Sequence, residues 1–234
     1  MKKYLCLTAV VLLFSSCGNN QTGISDRMVD CDITINNINF TKSINGADKM
    51  ISVTDGVVTL KANPYADFFI DPNEKISQDD SGILLTEIDN TKPFTFSGKV
   101  TSGFLTEGGL YNAATFFVYA NDKLWQKLCF EHGDHGEHRI VSVRTVGTSD
   151  DNNHDVVDTA KSVYFKISSD THSIASYFSL DGQKWQMVRI YKNEYPSTLY
   201  LGICSQAPQA DECVSLFEEL SLTTDHVSDF RLGI

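Results

Sequence analysis

The chain has 234 residues, 41% of them hydrophobic, and a formal net charge of −11 at pH 7. It contains no cluster of Lys or Arg that would replace the counterions of a phosphate backbone, which excludes nucleic acid as a partner. No stretch of helix length repeats apolar residues with the 3.6-residue period of an amphipathic helix, so a helical domain is excluded as well.

The first residues are typical of an exported lipoprotein. Lys2 and Lys3 precede an apolar run over residues 5–14, which is too short to cross a bilayer because a spanning helix takes roughly 20 apolar residues. Two serines and Cys17 follow. We predict a signal peptide over 1–16, lipidation of Cys17 and attachment to the cell envelope through that lipid alone, with the outer membrane favoured and its side left open. An ordinary signal peptide remains the alternative.

The rest of the chain is predicted to be one all-β domain over 32–223, between a flexible tether at 17–31 and a tail at 224–234. Short runs rich in Val, Ile, Phe, Tyr and Thr recur at close spacing, which is typical of a sandwich or barrel. The predicted strands cover 32–40, 50–54, 57–62, 94–101, 115–120, 124–131, 139–146, 163–168, 173–180, 185–191, 199–205 and 214–222.

The alternation of side chains assigns the two faces of these strands. In the strand over 124–131, the even positions are mostly apolar and predict the core face. The odd positions are Trp125, Lys127, Cys129 and Glu131, a mixture of an aromatic ring, a cation and a carboxylate. A strand face of this composition is not a simple solvated face, so we predict that it lines a groove.

The turn residues and the cysteines indicate less about the fold than the strand pattern does. Asp55-Gly56 and Asp181-Gly182 each separate two predicted strands and are typical of tight turns. Besides Cys17, four cysteines follow the leader, and export would permit disulfides among them. Three pairings are conceivable, and the pair Cys204–Cys213 would close a short loop, but four free thiols remain an alternative. The four residues are Cys31, Cys129, Cys204 and Cys213.

Two polar stretches have residue types that bind metals. Residues 131–138 gather three His and three acidic residues, but glycines interrupt them and indicate a flexible loop. Residues 149–155 offer oxygen ligands without the spacing of a helix-loop-helix calcium site and predict a solvated turn. We therefore predict no metal and no cofactor. The chain also lacks a Gly-x-Ser-x-Gly elbow and the Glu-x-Asp-x-x-Glu string of sandwich glucanases.

The chain resembles the concanavalin A-like domains of a group of bacterial and fungal proteins, some of them labelled "regulation of enolase" proteins. The resemblance extends from about Phe40 to Leu222. It rests on segments at 63–69, 109–114, 124–131, 142–145, 177–185, 201–208 and 217–220. It implies a two-sheet antiparallel jelly roll, a scaffold often used for binding carbohydrate, and it does not imply an activity.

Three functions follow as hypotheses. The first is a non-catalytic glycan-binding domain at the envelope. Its candidate binding residues are Trp125, Lys127 and Glu131, with Asp67, Tyr119 and Arg144 as further candidates. The second is a glycoside-active enzyme that uses Glu131 and Asp67 as a carboxylate pair. The third is an envelope scaffold without a small ligand, whose groove is filled by its own side chains.

Overall fold

The computed structural model describes residues 27–104 and 108–234. The leader over 1–16 and Cys17 therefore lie outside the described residues. Two large antiparallel sheets pack face to face, so the predicted all-β two-sheet sandwich is confirmed. No helix in 27–104 or 108–234 is both long and apolar enough to cross a membrane.

The strands, in chain order, are β1 (Met28–Ile35), β2 (Ile38–Ile44), β3 (Ile51–Thr54), β4 (Val57–Lys61), β5 (Phe68–Ile70), β6 (Ser77–Asp79), β7 (Ile83–Asp89), β8 (Phe94–Thr101), β9 (Ala113–Asn121), β10 (Leu124–His132), β11 (His138–Val146), β12 (Thr148–Val156), β13 (Val163–Ser169), β14 (Ser173–Ser179), β15 (Gln186–Lys192), β16 (Thr198–Gln206) and β17 (Val214–Thr223). One short 3-10 helix covers Ala47–Lys49.

The larger sheet has the spatial order β1-β2-β7-β16-β9-β10-β11-β12, and the smaller sheet has the order β15-β14-β13-β8-β17-β4-β3. Strands β5 and β6 form a separate two-stranded sheet. Six of the thirteen neighbouring pairs in the large sheets join strands that are not consecutive in sequence, as in β16, which pairs with both β7 and β9. The sheet that carries the strand over 124–131 is thus assembled from the whole length of the domain.

Alternation explains why two sheets form and how they pack. Val163, Phe165 and Ile167 on β13 are all buried and point into the core between the sheets. From the opposite sheet, Phe116 stacks on Phe96 of β8 with ring centroids 4.4 Å apart, and it meets Phe165 edge to face at 5.7 Å. One face of each strand is therefore buried against the other sheet, as the alternation predicts.

Two sequence predictions about strands are wrong. The predicted strand 32–40 is a hairpin, because the chain turns at Asn36, whose φ of 53° is left-handed. Residues 149–155, predicted to be a solvated turn, belong to the edge strand β12, which pairs with β11 through most of its length. A polar strand is stable at this edge because its neighbour supplies backbone hydrogen bonds, and side-chain polarity does not prevent them.

The turns and the chain ends also differ in part from expectation. Asp55 and Gly56 both have positive φ and form the predicted tight hairpin turn. The second Asp-Gly pair lies instead in a longer loop between β14 and β15. The predicted tether reaches residue 31, yet β1 begins at Met28. The tail over 224–234 packs back on the smaller sheet, where the Tyr177 hydroxyl donates to the Phe230 carbonyl at 2.8 Å.

The four cysteines are free thiols. The pairing of Cys204 with Cys213 is not formed, because the two lie in different buried clusters. Cys204 belongs to an apolar cluster with Cys129 on the outer face of the larger sheet, and Cys213 packs against three alanines at residues 62, 207 and 210. Cys31 is half-buried at the margin of the central core.

Candidate functional site

The face of the larger sheet that points away from the smaller sheet carries the odd residues of β10. Their burial divides this face into two parts. We call the part formed by Phe68, Phe117, Tyr119 and Trp125 the aromatic half. Here Phe68 of β5 lies over the sheet and meets Trp125 edge to face, with ring centroids 5.8 Å apart. All four rings are fully buried, so this half of the face is closed.

The other part of the face is open and forms a cavity of about 410 Å³, which we call the polar cavity. This volume is typical of small-molecule sites. Its lining comes from β10, β11, β12 and β16, and from the segments around β5 and β6. The lining residues are Asp67, Phe69, Ile76, Gln78, Tyr111, Lys127, Glu131, Gly133, Asp134, Glu137, Arg139, Val141, Val143, Asp151, Asn153, Gln206, Pro208 and Gln209.

A buried ion pair lies where the aromatic half meets the polar cavity. The Lys127 ammonium donates to Asp67 Oδ1 at 2.6 Å and to Gln206 Oε1 at 3.0 Å. The Lys127 side chain is only 2% exposed, against 13% for Asp67. Burial lowers the pKa of Lys127, but the nearby negative charges, led by Asp67, outweigh it and raise the pKa above its usual value. Lys127 is therefore a fixed cation.

Gln206 holds this cation from the other side. Its amide oxygen accepts from Lys127, and its amide nitrogen donates to the Tyr111 carbonyl at 3.1 Å. Tyr111 itself has a left-handed φ of 66°, a conformation that costs free energy in a residue with a side chain. The backbone of Tyr111 is held there by its N–H, which donates to the His132 carbonyl at 2.7 Å.

Glu131 is the second unusual group in the polar cavity. It is 8% exposed, and no described residue donates a hydrogen bond to its carboxyl group. Burial raises its pKa from the ordinary 4.5 to about 8, against the opposing effect of Lys127. At neutral pH this carboxyl group is therefore largely protonated. It combines a donor and an acceptor in a buried position that opens on the cavity.

Three of the four remaining charged side chains of the cavity have a side-chain partner. Arg139 Nε donates to Glu137 Oε1 at 3.0 Å. The Tyr111 hydroxyl donates to Asp134, and this hydrogen bond together with burial raises the pKa of Tyr111 to about 12. Asp151 lies on β12 in register with Val143 and is exposed at the cavity mouth. The rim is thus held in place by its own contacts.

The structure brings together three of the six predicted binding residues. Lys127, Glu131 and Asp67 all line the polar cavity. Trp125 and Tyr119 are fully buried in the aromatic half, where the indole donates to the Asp122 carbonyl at 3.2 Å and the phenol donates to Asp122 Oδ1 at 2.6 Å. The Trp125 ring therefore has no exposed face on which a sugar could stack.

Arg144 lies on the opposite side of the sheet from the cavity. Its guanidinium carbon is 4.5 Å from the ring centroid of Tyr191, a residue of the smaller sheet. The Arg144 side chain therefore points between the two sheets. It has an even position on β11, so it lies on the face opposite to that of Val143. This contradicts its predicted place in the groove.

The His-rich stretch 131–138 is the end of one hairpin strand and the start of the next. His138 stacks on Phe104 with ring centroids 3.9 Å apart, and His132 Nδ1 contacts the Gly109 carbonyl at 3.2 Å. Within residues 27–104 and 108–234, no group of three or more His, Cys, Asp or Glu is arranged to hold a metal ion. Two of the three histidines are thus accounted for by packing and backbone contacts.

The sequence interpretation missed Gln206, Asp151 and Arg139. Gln206 continues the face of Cys204 on β16, so extending the alternation by one step would have found it. The sequence predicts a solvated turn over 149–155, so it does not indicate that Asp151 lines a cavity. No sequence signal showed that β16 and β10 flank the same strand, since this pairing joins residues far apart in the chain.

A protein-family model described as "Protein of unknown function (DUF1349)" matches residues 44–225. This chain belongs to that family. The match includes every lining residue of the polar cavity, so the site lies within the DUF1349 region. No curated protein sequence matches the chain.

Solved structures confirm the jelly-roll sandwich of this DUF1349 chain. A functionally unknown protein from Saccharomyces cerevisiae superposes with a TM-score of 0.71 at 23% identity, covering 79% of this chain and 96% of that one. A xylan beta-1,4-xylosidase from Bacillus halodurans C-125 gives 0.58 at 12% identity, with coverage of 84% and 39%. An alginate lyase from Klebsiella pneumoniae gives 0.51 at 10% identity, with coverage of 76% and 85%. At these identities the likeness concerns the fold alone.

Proposed function

We propose that this domain binds a saccharide in the polar cavity without cleaving it. The observation that carries the proposal is the pair of buried polar groups at the cavity wall. Lys127 has two described acceptors for its three N–H groups, and Glu131 has no described hydrogen-bond partner. Buried polar groups normally have hydrogen-bond partners, so a buried carboxyl group that opens on a cavity without a partner in the described protein favours a polar ligand there.

Saccharide is the polar ligand class that the cavity fits best. Sugar hydroxyl groups both donate and accept hydrogen bonds, and the wall offers an ammonium, a protonated carboxyl group, amides and carboxylates. Phe69 and Ile76 add apolar surface for the faces of a sugar ring. The fold shared with a xylosidase and an alginate lyase supports the same class, although the chain spans only 39% of that xylosidase.

The test is a glycan array followed by calorimetry with a variant that fills the cavity. Asn153 is exposed and lines the cavity, so Asn153→Trp should place an indole in the ligand space. Val156→Trp adds the same ring on the same strand outside the cavity and serves as the control. We expect wild type and Val156→Trp to bind, and Asn153→Trp to lose about tenfold or more in affinity. Absence of any saccharide ligand, or equal binding by all three proteins, would contradict the proposal.

Cleavage of a glycoside is a second candidate, and the protonation state of Glu131 favours it. A general acid must carry its proton at working pH, and burial gives Glu131 a pKa of about 8. Asp67 provides a carboxylate on the same wall. The bound saccharide should then release new reducing ends, at a rate that Glu131→Gln lowers roughly 100-fold. Binding without any release would leave only the first proposal.

We also propose that the domain is attached to the cell envelope by lipid on Cys17. The support is the order of Lys2 and Lys3, the short apolar run and the serines before Cys17. In cells grown with a labelled fatty acid, the protein should take up label, and Cys17→Ala should abolish it. Label that persists in Cys17→Ala would contradict the anchor.

A further inference from the structure

We propose that the saccharide unit in the polar cavity carries a free amino group, whose ammonium lies against Glu131. This inference rests on the saccharide-binding function proposed above and adds the chemical class of the ligand. It begins from the one buried carboxyl group of the cavity wall to which the protein gives no partner of its own.

The protein has a cation in the right place to pair with Glu131 but uses it elsewhere. Arg139 is the cross-strand neighbour of Glu131 in the β10–β11 register, and both line the cavity. Its guanidinium nevertheless bonds to Glu137, 3.0 Å away. Directly opposed, oppositely charged residues on neighbouring strands normally pair. Here the expected partner is occupied, and the carboxyl group of Glu131 stays free.

The second cation of the cavity is also committed. Lys127 donates to Asp67 at 2.6 Å and to Gln206 at 3.0 Å, and it is almost completely buried. Its charge lowers the pKa of Glu131, but burial and the charges of Asp67, Asp151 and Asp134 outweigh that effect. The place beside Glu131 therefore lacks a full positive charge.

The charge balance of the wall favours a cation and disfavours an anion. Five carboxyl groups and only two cationic side chains line the cavity. Binding of an ammonium would favour the ionised form of Glu131, whose proton would be released to solvent, and would make a charge-assisted hydrogen bond, which is stronger than a neutral one. A uronic acid would add a further negative charge beside the carboxylates of the wall, which would repel it. An N-acetylated amine has no charge and would gain only a neutral hydrogen bond.

The experiment compares matched oligosaccharides by calorimetry at neutral pH. The probes are β-linked oligomers of glucosamine, of N-acetylglucosamine, of glucose and of a uronic acid. The proteins are wild type, Glu131→Gln and Asp155→Asn, in which an exposed carboxyl group of β12 outside the cavity is neutralised. We expect wild type and Asp155→Asn to prefer glucosamine over N-acetylglucosamine by about tenfold. In Glu131→Gln the preference should disappear.

The outcomes separate this inference from the function on which it rests. Binding of neutral or acidic saccharides that Asn153→Trp blocks, without a preference for the amine, overturns the amino-group inference and leaves saccharide binding intact. A preference for the amine that persists in Glu131→Gln also overturns it. If no saccharide binds at all, the proposed function itself is wrong. A melting-curve check that Glu131→Gln remains folded excludes a trivial loss.

Discussion

The aromatic half and the polar cavity share one sheet face and one strand, yet the fold treats them in opposite ways. Trp125 and Glu131 lie on the same side of β10, but Phe68 covers the first, whereas the second lines the cavity. The rings thus contribute to stability, and the polar groups line the cavity in which we propose that a ligand binds. A side chain of a type that often binds sugars is not a binding residue when another element of the chain already occupies its surface.

The largest expected effect concerns the aromatic half. Trp125→Ala should lower the free energy of unfolding by about 3–5 kcal/mol, since it removes a fully buried ring that packs on Phe68 and Phe117. Tyr65→Ala removes a ring that is 61% exposed and should change it by less than about 0.5 kcal/mol. Urea unfolding measures both. A loss of stability equally small in the two variants would show that the aromatic half is not a packed core.

The boundary between the two parts should be nearly as sensitive. Lys127→Met leaves the Asp67 carboxylate without its counter-ion and should cost roughly 3 kcal/mol. Asp67→Asn added to Lys127→Met removes the stranded charge and should recover part of that loss. A double-mutant cycle in urea measures the coupling, and strictly additive effects would contradict a buried, interacting pair.

Within the polar cavity, Gln206 tests how far the site is pre-organised. Gln206→Leu removes the acceptor of one Lys127 N–H and the donor to the Tyr111 carbonyl. We expect a stability loss of about 1–2 kcal/mol, because each buried partner left unsatisfied carries a desolvation cost. Gln78→Leu, at a more exposed position of the same cavity, is the control and should have a smaller effect. Equal losses would show that Gln206 does not support Lys127.

The smallest effect, per pH unit, is the difference in the pH dependence of stability between wild type and Glu131→Gln, which isolates Glu131. Because its folded pKa of about 8 exceeds its ordinary 4.5, the proton on Glu131 stabilises the fold fully below the lower value. That contribution is lost as the pH rises through about 8, by up to about 1.4 kcal/mol per pH unit. Glu131→Gln has no titrating carboxyl group at this position and cannot lose that contribution. The variant should therefore gain stability relative to wild type as the pH rises from about 4.5 to about 8. Parallel stability curves for the two proteins would contradict the raised pKa.

Alternation along strands predicted more of the molecule than motifs did. It assigned the core face of β13 and β16 correctly and placed Lys127 and Glu131 on one common face. It could not show that β5 returns to cover Trp125, because that contact joins residues far apart in the chain and depends on the path of a loop. The polar composition of β12 led to the wrong prediction of a turn, because these polar residues form a paired edge strand.

The site itself was predictable only in part for the same physical reason. Lys127, Glu131 and Asp67 were candidates by residue type, and the structure places them on one cavity wall. Their roles depend on Gln206, which lies on a strand paired with residues far away in the chain, and on Arg139, whose side chain bonds to Glu137 and not to Glu131. A carboxyl group becomes a candidate binding group when its neighbours leave it unpaired, and only the fold shows that.

A crystal structure of the protein with a bound oligosaccharide tests the central claim most directly. The account predicts electron density for a sugar inside the polar cavity, within hydrogen-bond distance of Glu131 and Lys127, while Phe68 still covers Trp125. Density for a sugar stacked on an uncovered Trp125, or bound outside the cavity with Glu131 untouched, would contradict it.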